Sequence, residues 1–337
     1  MLRLPSLVVG AACAVAQPAV WAAPPDTADA VLARWDQDPY PDLRAVVVMR
    51  DGRIVAERYY NGETAEALHD VRSAGKSVTA LLVGIAHDQG RVDVDAPVAR
   101  YWKEAAGTAI GDVPLRDVLT MRSGLAADDE DPASPGNEDR MDEAADPLAF
   151  ALQVPRATAP GSVYTYNSLT SYVAGVVVTR AVGEPMDAFA RRQLFAPLGI
   201  TRWKWQRDAS GITKGQGNLS LTARDFATLG DMVRNRGMYN GRRIVSAAWI
   251  RDASEPQVAI GHVDPYADGY GYYWYAKTHH INGTPVPVRF ASGNGGNKIY
   301  IVPSRNMVVA ITSSAYGKGY GQRRSEAILK ALLNETR

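Results

Sequence analysis

Strand signals stand at both ends of this 337-residue chain and helical signals in between, and that order narrows the possible folds more than any other feature. Residues 44–50 (Arg-Ala-Val-Val-Val-Met-Arg) are a β-branched run. Asp51-Gly52 follows, and residues 53–60 then alternate apolar with polar, the pattern of a hairpin closed by a type I′ turn. The strand signal returns from Pro287, with strands expected at 298–302 and 307–312 around the turn Pro303-Ser304-Arg305-Asn306. A final amphipathic helix is expected over 323–334. The middle of the chain reads as helix at 77–89, where Val78, Leu81, Leu82, Ile85 and Ala86 recur at helical spacing, and again at 115–119, 168–182, 185–199 and 220–237. Residues 126–147 are acidic and rich in turn formers, which predicts an exposed loop. Strands supplied by both termini imply one sheet with a helical lobe inserted at about 95–250, and a site where the two parts meet.

The first residues have the pattern of an export signal. Arg3 is the only charge before Asp26, a short apolar stretch follows, and Val20-Trp21-Ala22 puts small residues at the positions a signal peptidase reads. Residues 1–23 are therefore expected to be removed after Ala22 or Ala23, leaving one domain over 24–337 in an exported, periplasmic or secreted protein. The single cysteine, Cys13, lies inside this segment, so the mature chain has no thiol chemistry. A lipid anchor on Cys13 is the alternative, although Gly10-Ala11-Ala12 lacks the usual apolar residue three positions before the cysteine. Without Arg3 the chain carries 36 basic and 36 acidic residues and no charge run, which argues against nucleic acid as a partner. No other apolar stretch approaches membrane-spanning length.

Three elements carry chemistry. Ser73-Ala74-Gly75-Lys76 stands at the head of the apolar helix, and Ser73 is the only serine with a lysine three residues on. Residues three apart share a helix face, so the Lys76 amine can reach the Ser73 hydroxyl. A serine needs such a partner to act as a nucleophile, and a lysine serves as its base when burial and neighbours lower its pKa. The helix N-terminus favours a developing oxyanion. The second element, Pro160-Gly161-Ser162-Val163-Tyr164-Thr165-Tyr166-Asn167-Ser168, brings Tyr166 to the start of another apolar helix, where a phenol beside an ammonium can pass protons. The third, Phe290-Ala291-Ser292-Gly293-Asn294-Gly295-Gly296, combines three glycines with a following strand, so that backbone can approach a ligand closely. The five histidines have no metal-ligand spacing, and there is no Gly-x-Ser-x-Gly elbow and no phosphate-binding loop.

In this order and spacing the three elements resemble the β-lactamase-related serine hydrolases, which include class C β-lactamases, D-alanyl-D-alanine peptidases, family VIII esterases and 6-aminohexanoate-dimer hydrolases. The likeness runs from about Leu43 to the C-terminal helix and takes in SAGKSVTALLVGIA, LRDVLTMRSGL, LSLTARDFATL, YGYYW and IYIVP. The dimer-hydrolase and esterase side looks nearest. The resemblance implies a β-lactamase/transpeptidase-like α/β (α+β) fold, with a mainly antiparallel sheet flanked by helices. It implies Ser73 as the acylated nucleophile, Lys76 as its amine partner and Tyr166 as general base. The third motif falls on Ala291-Ser292-Gly293, or on Asn294-Gly295-Gly296 in a shifted register. In the first register the oxyanion donors would be the backbone N–H groups of Ser73 and Asn294.

Two departures stand out. Lactamases have Asn two residues after the tyrosine, where this chain has Ser168 with Asn167 between. They also carry a cation at the first position of the third motif, where this chain has Ala291. Asn167, Ser168, Ser292, Gly293 and Asn294 are the remaining candidates for contact with substrate. The expected activity is hydrolysis of a small ester, amide or short peptide through an acyl-enzyme, with no metal or organic cofactor. The alternatives are a β-lactamase, a D-amino-acid peptidase, or a non-catalytic receptor for cell-wall peptides or penicillins on the same scaffold.

Overall fold

In the computed structural model of the protein the described residues are 27–335, with Leu2 besides. The expected export signal and Cys13 lie outside them. Helix α1 (Thr27–Ala33) leads into strands β1 (Leu43–Arg50) and β2 (Arg53–Tyr59), joined by Asp51 at φ 48° and Gly52 at φ 77°. Two successive left-handed residues are what a type I′ hairpin demands. The chain continues through β3 (His69–Asp70), α2 (Gly75–Asp88), α3 (Leu115–Leu119), α4 (Glu138–Asp142), α5 (Pro147–Gln153), α6 (Ser168–Val182), α7 (Met186–Ala190), β4 (Trp203–Trp205), β5 (Leu219–Leu221) and α8 (Ala223–Arg234). A small hairpin, β6 (Met238–Tyr239) and β7 (Arg242–Arg243), precedes α9 (Ala247–Ser254). The remainder is β8 (Val258–Ala259), β9 (Gly269–Tyr270), β10 (Tyr275–Ile281), β11 (Thr284–Gly293), β12 (Asn297–Val302), β13 (Met307–Ser313) and α10 (Gly319–Glu335).

The main sheet has the order β2-β1-β13-β12-β11-β10-β9-β8 and is antiparallel throughout. Strand β1 pairs with both β2 and β13, through contacts such as Val46 with Ile311, so the two chain ends do build one sheet. Helices α1 and α10 touch each other, and α10 lies against β10, β12 and β13, while α8 packs on β1, β12 and β13. Helix α2 packs against α6 and α9. Residues 75–86 of α2 are all buried, as expected of a helix apolar all round.

Four expectations are revised. The hairpin of β10 and β11 turns on Asn282 at φ 50° and Gly283 at φ 79°, and the strand signal therefore starts a dozen residues before Pro287. Pro285 and Pro287 sit within β11 because β12 pairs with it only from Arg289 onward; with a neighbour on one side only, a missing N–H is tolerated. The helix expected over 185–199 is α7 followed by a π turn at Arg191–Phe195 and a 3-10 turn at Ala196–Leu198, ended by Gly199 at φ 75°. The helix expected over 220–237 begins later, because β5 uses Leu219–Leu221 and Thr222 then caps α8 by accepting from the Asp225 N–H. Finally, 126–147 is no simple exposed loop. Ala127, Ser134, Asn137 and Met141 are buried, α4 lies within it, and Asn137 caps α4 by accepting from the Asp139 N–H.

Candidate active site

Ser73 stands on a turn held from both sides. The Val71 N–H donates to the Leu219 carbonyl at 2.9 Å, and the Arg72 N–H donates to Asp70 Oδ1 at 2.8 Å. Arg72 takes φ 52°, a left-handed conformation that costs energy in a non-glycine residue and is held here by these bonds. A 3-10 turn at Arg72–Ala74 carries Ser73 into α2, which starts at Gly75, two residues ahead of the expected 77. Lys76 is thus inside the first turn of the helix. The residue is 2 % exposed, and its amine donates to Ser73 Oγ at 3.0 Å, Ser168 Oγ at 2.9 Å and the Gln216 carbonyl at 2.8 Å. It also lies 5.1 Å from the centre of the Tyr166 ring.

Burial pulls the pKa of Lys76 down, but the Tyr166 phenol and the Glu138 and Asp129 carboxylates outweigh it, and the net shift is upward. The amine is therefore an ammonium at neutral pH, with its three hydrogens on three acceptors. This differs from the expectation of a depressed lysine acting as base. Lys76 is placed as a donor and a fixed positive charge, and the proton of Ser73 needs another acceptor.

Tyr166 is half-buried just before α6. Its backbone is tied down by the Asp129 N–H, which donates to the Tyr166 carbonyl at 3.3 Å. Asn167, expected among the substrate contacts, instead caps α6: its Oδ1 accepts from the Thr170 N–H at 2.8 Å, its Nδ2 donates to the Thr165 carbonyl at 2.9 Å, and it is 2 % exposed. Ser168 is fully buried and belongs to the Lys76 cluster.

Strand β11 brings in the third element. Of the two registers only Ala291-Ser292-Gly293 lies on the strand, since Gly295 at φ 87° and Gly296 at φ 90° form the turn after it. The ladder from β10 ends at Phe290, which leaves the β10 side of 291–293 without a strand partner. Gly293 touches the Ser73 turn: a Cβ there would sit 2.0 Å from the Val71 carbonyl oxygen and 3.0 Å from the Ala74 nitrogen. Gly293→Ala is accordingly expected to push the strand end off the turn, with a loss of about tenfold or more in kcat and a Tm lower by several degrees. Parent-like kinetics and melting would show that this contact positions nothing. Ala291 is fully buried. Ser292 is part-exposed and accepts at 2.7 Å from Lys298, its cross-strand partner on β12, a residue 2 % exposed whose amine lies over the Phe290 ring. Burial pulls the pKa of Lys298 down to about 7. Asn294 is exposed, and its side chain accepts from the Gly317 N–H at 2.8 Å.

Two residues of the cluster carried no usable signal in the sequence. Gln216 contributes only its carbonyl, and Asp129 is one acid among several in 126–147.

The family model described as β-lactamase matches residues 44–333, most of the chain, and the protein belongs to this family. Within it the chain is a hydrolase. It is 30 % identical over 269 residues to the 6-aminohexanoate-dimer hydrolase of Paenarthrobacter ureafaciens, an alignment that covers 74 % of this chain and 67 % of the relative. A penicillin-binding protein homologue from Caulobacter crescentus superposes with a TM-score of 0.73 at 20 % identity, covering 91 % of this chain and 96 % of that one. A class C β-lactamase from Rhodobacter sphaeroides gives 0.67 at 17 % identity, covering 91 % and 99 %. The two structural likenesses show the shared fold: a mainly antiparallel sheet flanked by helices.

Proposed function

We propose that this protein is a serine hydrolase of the Ser-Lys-Tyr type that cleaves small ester or amide bonds through an acyl-enzyme on Ser73. The observation that carries this reading is the ammonium of Lys76, bonded to Ser73 Oγ at 3.0 Å beneath the Tyr166 ring. Ser73 Oγ attacks the carbonyl carbon. Its proton passes to the Tyr166 oxygen as the Tyr166 proton passes to the leaving group, so that the leaving group departs neutral. Lys76 stabilises the negative charge that builds up between them. The carbonyl oxygen is received by the N–H groups of Ser73 and Asn294, neither of which is used in a strand ladder. Water then repeats the sequence in reverse, giving its proton through Tyr166 back to Ser73 and releasing the acid. The relative named as a dimer hydrolase supports an amide or ester substrate.

The same reading favours uncharged substrates. Ala291 offers no cation, and the amine of Lys298 is covered and engaged with Ser292. A missing charge-assisted hydrogen bond of about 1.5–3 kcal/mol amounts to roughly ten- to a hundredfold in kcat/KM. On the purified mature chain, p-nitrophenyl butyrate is therefore expected to exceed nitrocefin by about that factor, with a fluorophosphonate labelling Ser73. Faster nitrocefin turnover would move the function to a β-lactamase, and labelling without turnover of any ester, amide or D-Ala peptide would move it to a receptor. Residues 1–23 are proposed as the export signal, to be tested by N-terminal sequencing of protein recovered outside the cytoplasm.

A further inference from the structure

We propose that Asp129 is a positioning residue for the Ser73–Lys76 pair and acts on it through the hydroxyl of Ser168. The inference rests on the serine-hydrolase reading of this site and follows from counting its hydrogens. The Lys76 ammonium has three, and they go to Ser73 Oγ, Ser168 Oγ and the Gln216 carbonyl. Both hydroxyls therefore accept from Lys76 and must donate their own hydrogens elsewhere. Ser73 is part-exposed, so its hydrogen can go to water or, in the proposed mechanism, to Tyr166. Ser168 is fully buried and has no water to turn to. A buried hydroxyl hydrogen without an acceptor is costly, so one is expected close by.

The acceptor at hand is the carboxylate of Asp129. Its Oδ2 is buried and engages no donor at full hydrogen-bond geometry, while Oδ1 accepts from the Glu138 N–H at 3.2 Å. The Asp129 N–H is bonded to the Tyr166 carbonyl, which fixes the carboxylate beside the first residues of α6. A line of groups results: Ser73, Lys76, Ser168, Asp129. The outer carboxylate orients Ser168, Ser168 holds the third corner of the ammonium, and the ammonium stays aimed at the nucleophile.

The charges around Asp129 come from each element packed on it. Lys76 faces it from α2, Glu138 from α4, and Tyr166 and Ser168 from the start of α6. Asp142 of α4 is taken up by Lys214 at 2.8 Å. Asp128 and Asp131 are turned to the N–H groups of Glu130 and Ala133 in their own loop. Burial raises the pKa of Asp129 to about 6, with Glu138 adding to the rise and Lys76 and Ser168 opposing it. The carboxylate thus gains its proton within a measurable range, and below about pH 6 it no longer holds Ser168 and Lys76 as an anion.

The test is the pH profile of kcat/KM for p-nitrophenyl butyrate, with the rate of fluorophosphonate labelling of Ser73 followed in parallel, on the full mature chain. The parent is expected to show an acidic limb with a midpoint near 6. Asp129→Asn is expected to lose that limb, to fall about tenfold in kcat with KM within about twofold, and to lose activity at lower pH on the alkaline side as Lys76 loses a favourable neighbour. Ser168→Ala is expected to have a similar defect, and adding Asp129→Asn to it should change little, since two residues acting in series do not add. An acidic limb that persists in Asp129→Asn, or full additivity of the two substitutions, overturns the proposal even where the variant is less stable. A parent whose Ser73 takes no label overturns the serine-hydrolase reading itself, which is a different result.

Discussion

Ser73→Ala is expected to lower turnover of p-nitrophenyl butyrate by at least about a thousandfold and to abolish fluorophosphonate labelling, with little change in Tm. The large effect follows from chemistry: without Oγ no acyl-enzyme forms, and what remains is the weak catalysis of an oriented carbonyl. The small effect on stability follows from the surroundings. Ser73 is part-exposed, so the one hydrogen of Lys76 that loses its acceptor can be taken by water, while the bonds to Ser168 and Gln216 remain. Near-parental esterase activity in the variant would remove Ser73 from the mechanism, whatever the relatives do. A Tm lowered by many degrees would instead make the turn a structural feature, and the activity loss could then not be assigned to a missing nucleophile.

What could be read from the chain before its structure follows a physical division. Short-range rules apply where one residue type has one conformational answer. Asp51-Gly52 closes the first hairpin, and α3 and α6 have the bounds the sequence predicts. The Ser73 to Lys76 spacing was legible because three residues on a helix fix a face. The same rules applied to Asn282-Gly283 point to the second hairpin; the prolines of β11 masked it, and only the pairing pattern explains why they are tolerated. The rest depends on long-range placement. Asp129 and Gln216 reach the amine of Lys76 from 53 and 140 positions away along the chain, and no local pattern marks either. Composition misled in the same segment, because turn-forming acids look solvated whether or not a neighbouring helix buries them. Asn167 has a second role that local context does show. Its place next to Tyr166 suggested contact with a ligand, whereas a residue just before an apolar helix is first of all a cap.

Lys76→Met is the second large effect expected, and it separates chemistry from stability by pH. Methionine approximates the length of the stem and removes the charge, so the packing against α6 is largely kept. Catalysis is expected to fall about a thousandfold, since the positive charge beside the attacking oxygen disappears. Stability should fall as well, by about 3 kcal/mol or more, because Ser168 Oγ and the Gln216 carbonyl lose their donor in a buried place and Asp129 and Glu138 lose their facing cation. The sign of the pH dependence follows from the shifts. The folded pKa of Lys76 lies above its ordinary value, so its stabilisation is present throughout neutral pH and is lost only as the pH rises through that raised value. Asp129 already sits at about 6 with Lys76 opposing the rise, and removing the cation lifts it further. The variant therefore takes up more protons in its folded state, and its deficit against the parent should shrink as the pH falls from 8 towards 5. Thermal melts of parent and variant across that range provide the measurement. A deficit that stays constant would show that Lys76 and Asp129 do not share a field, and one that grows in acid would reverse the sign and place the stabilising partner of Lys76 elsewhere.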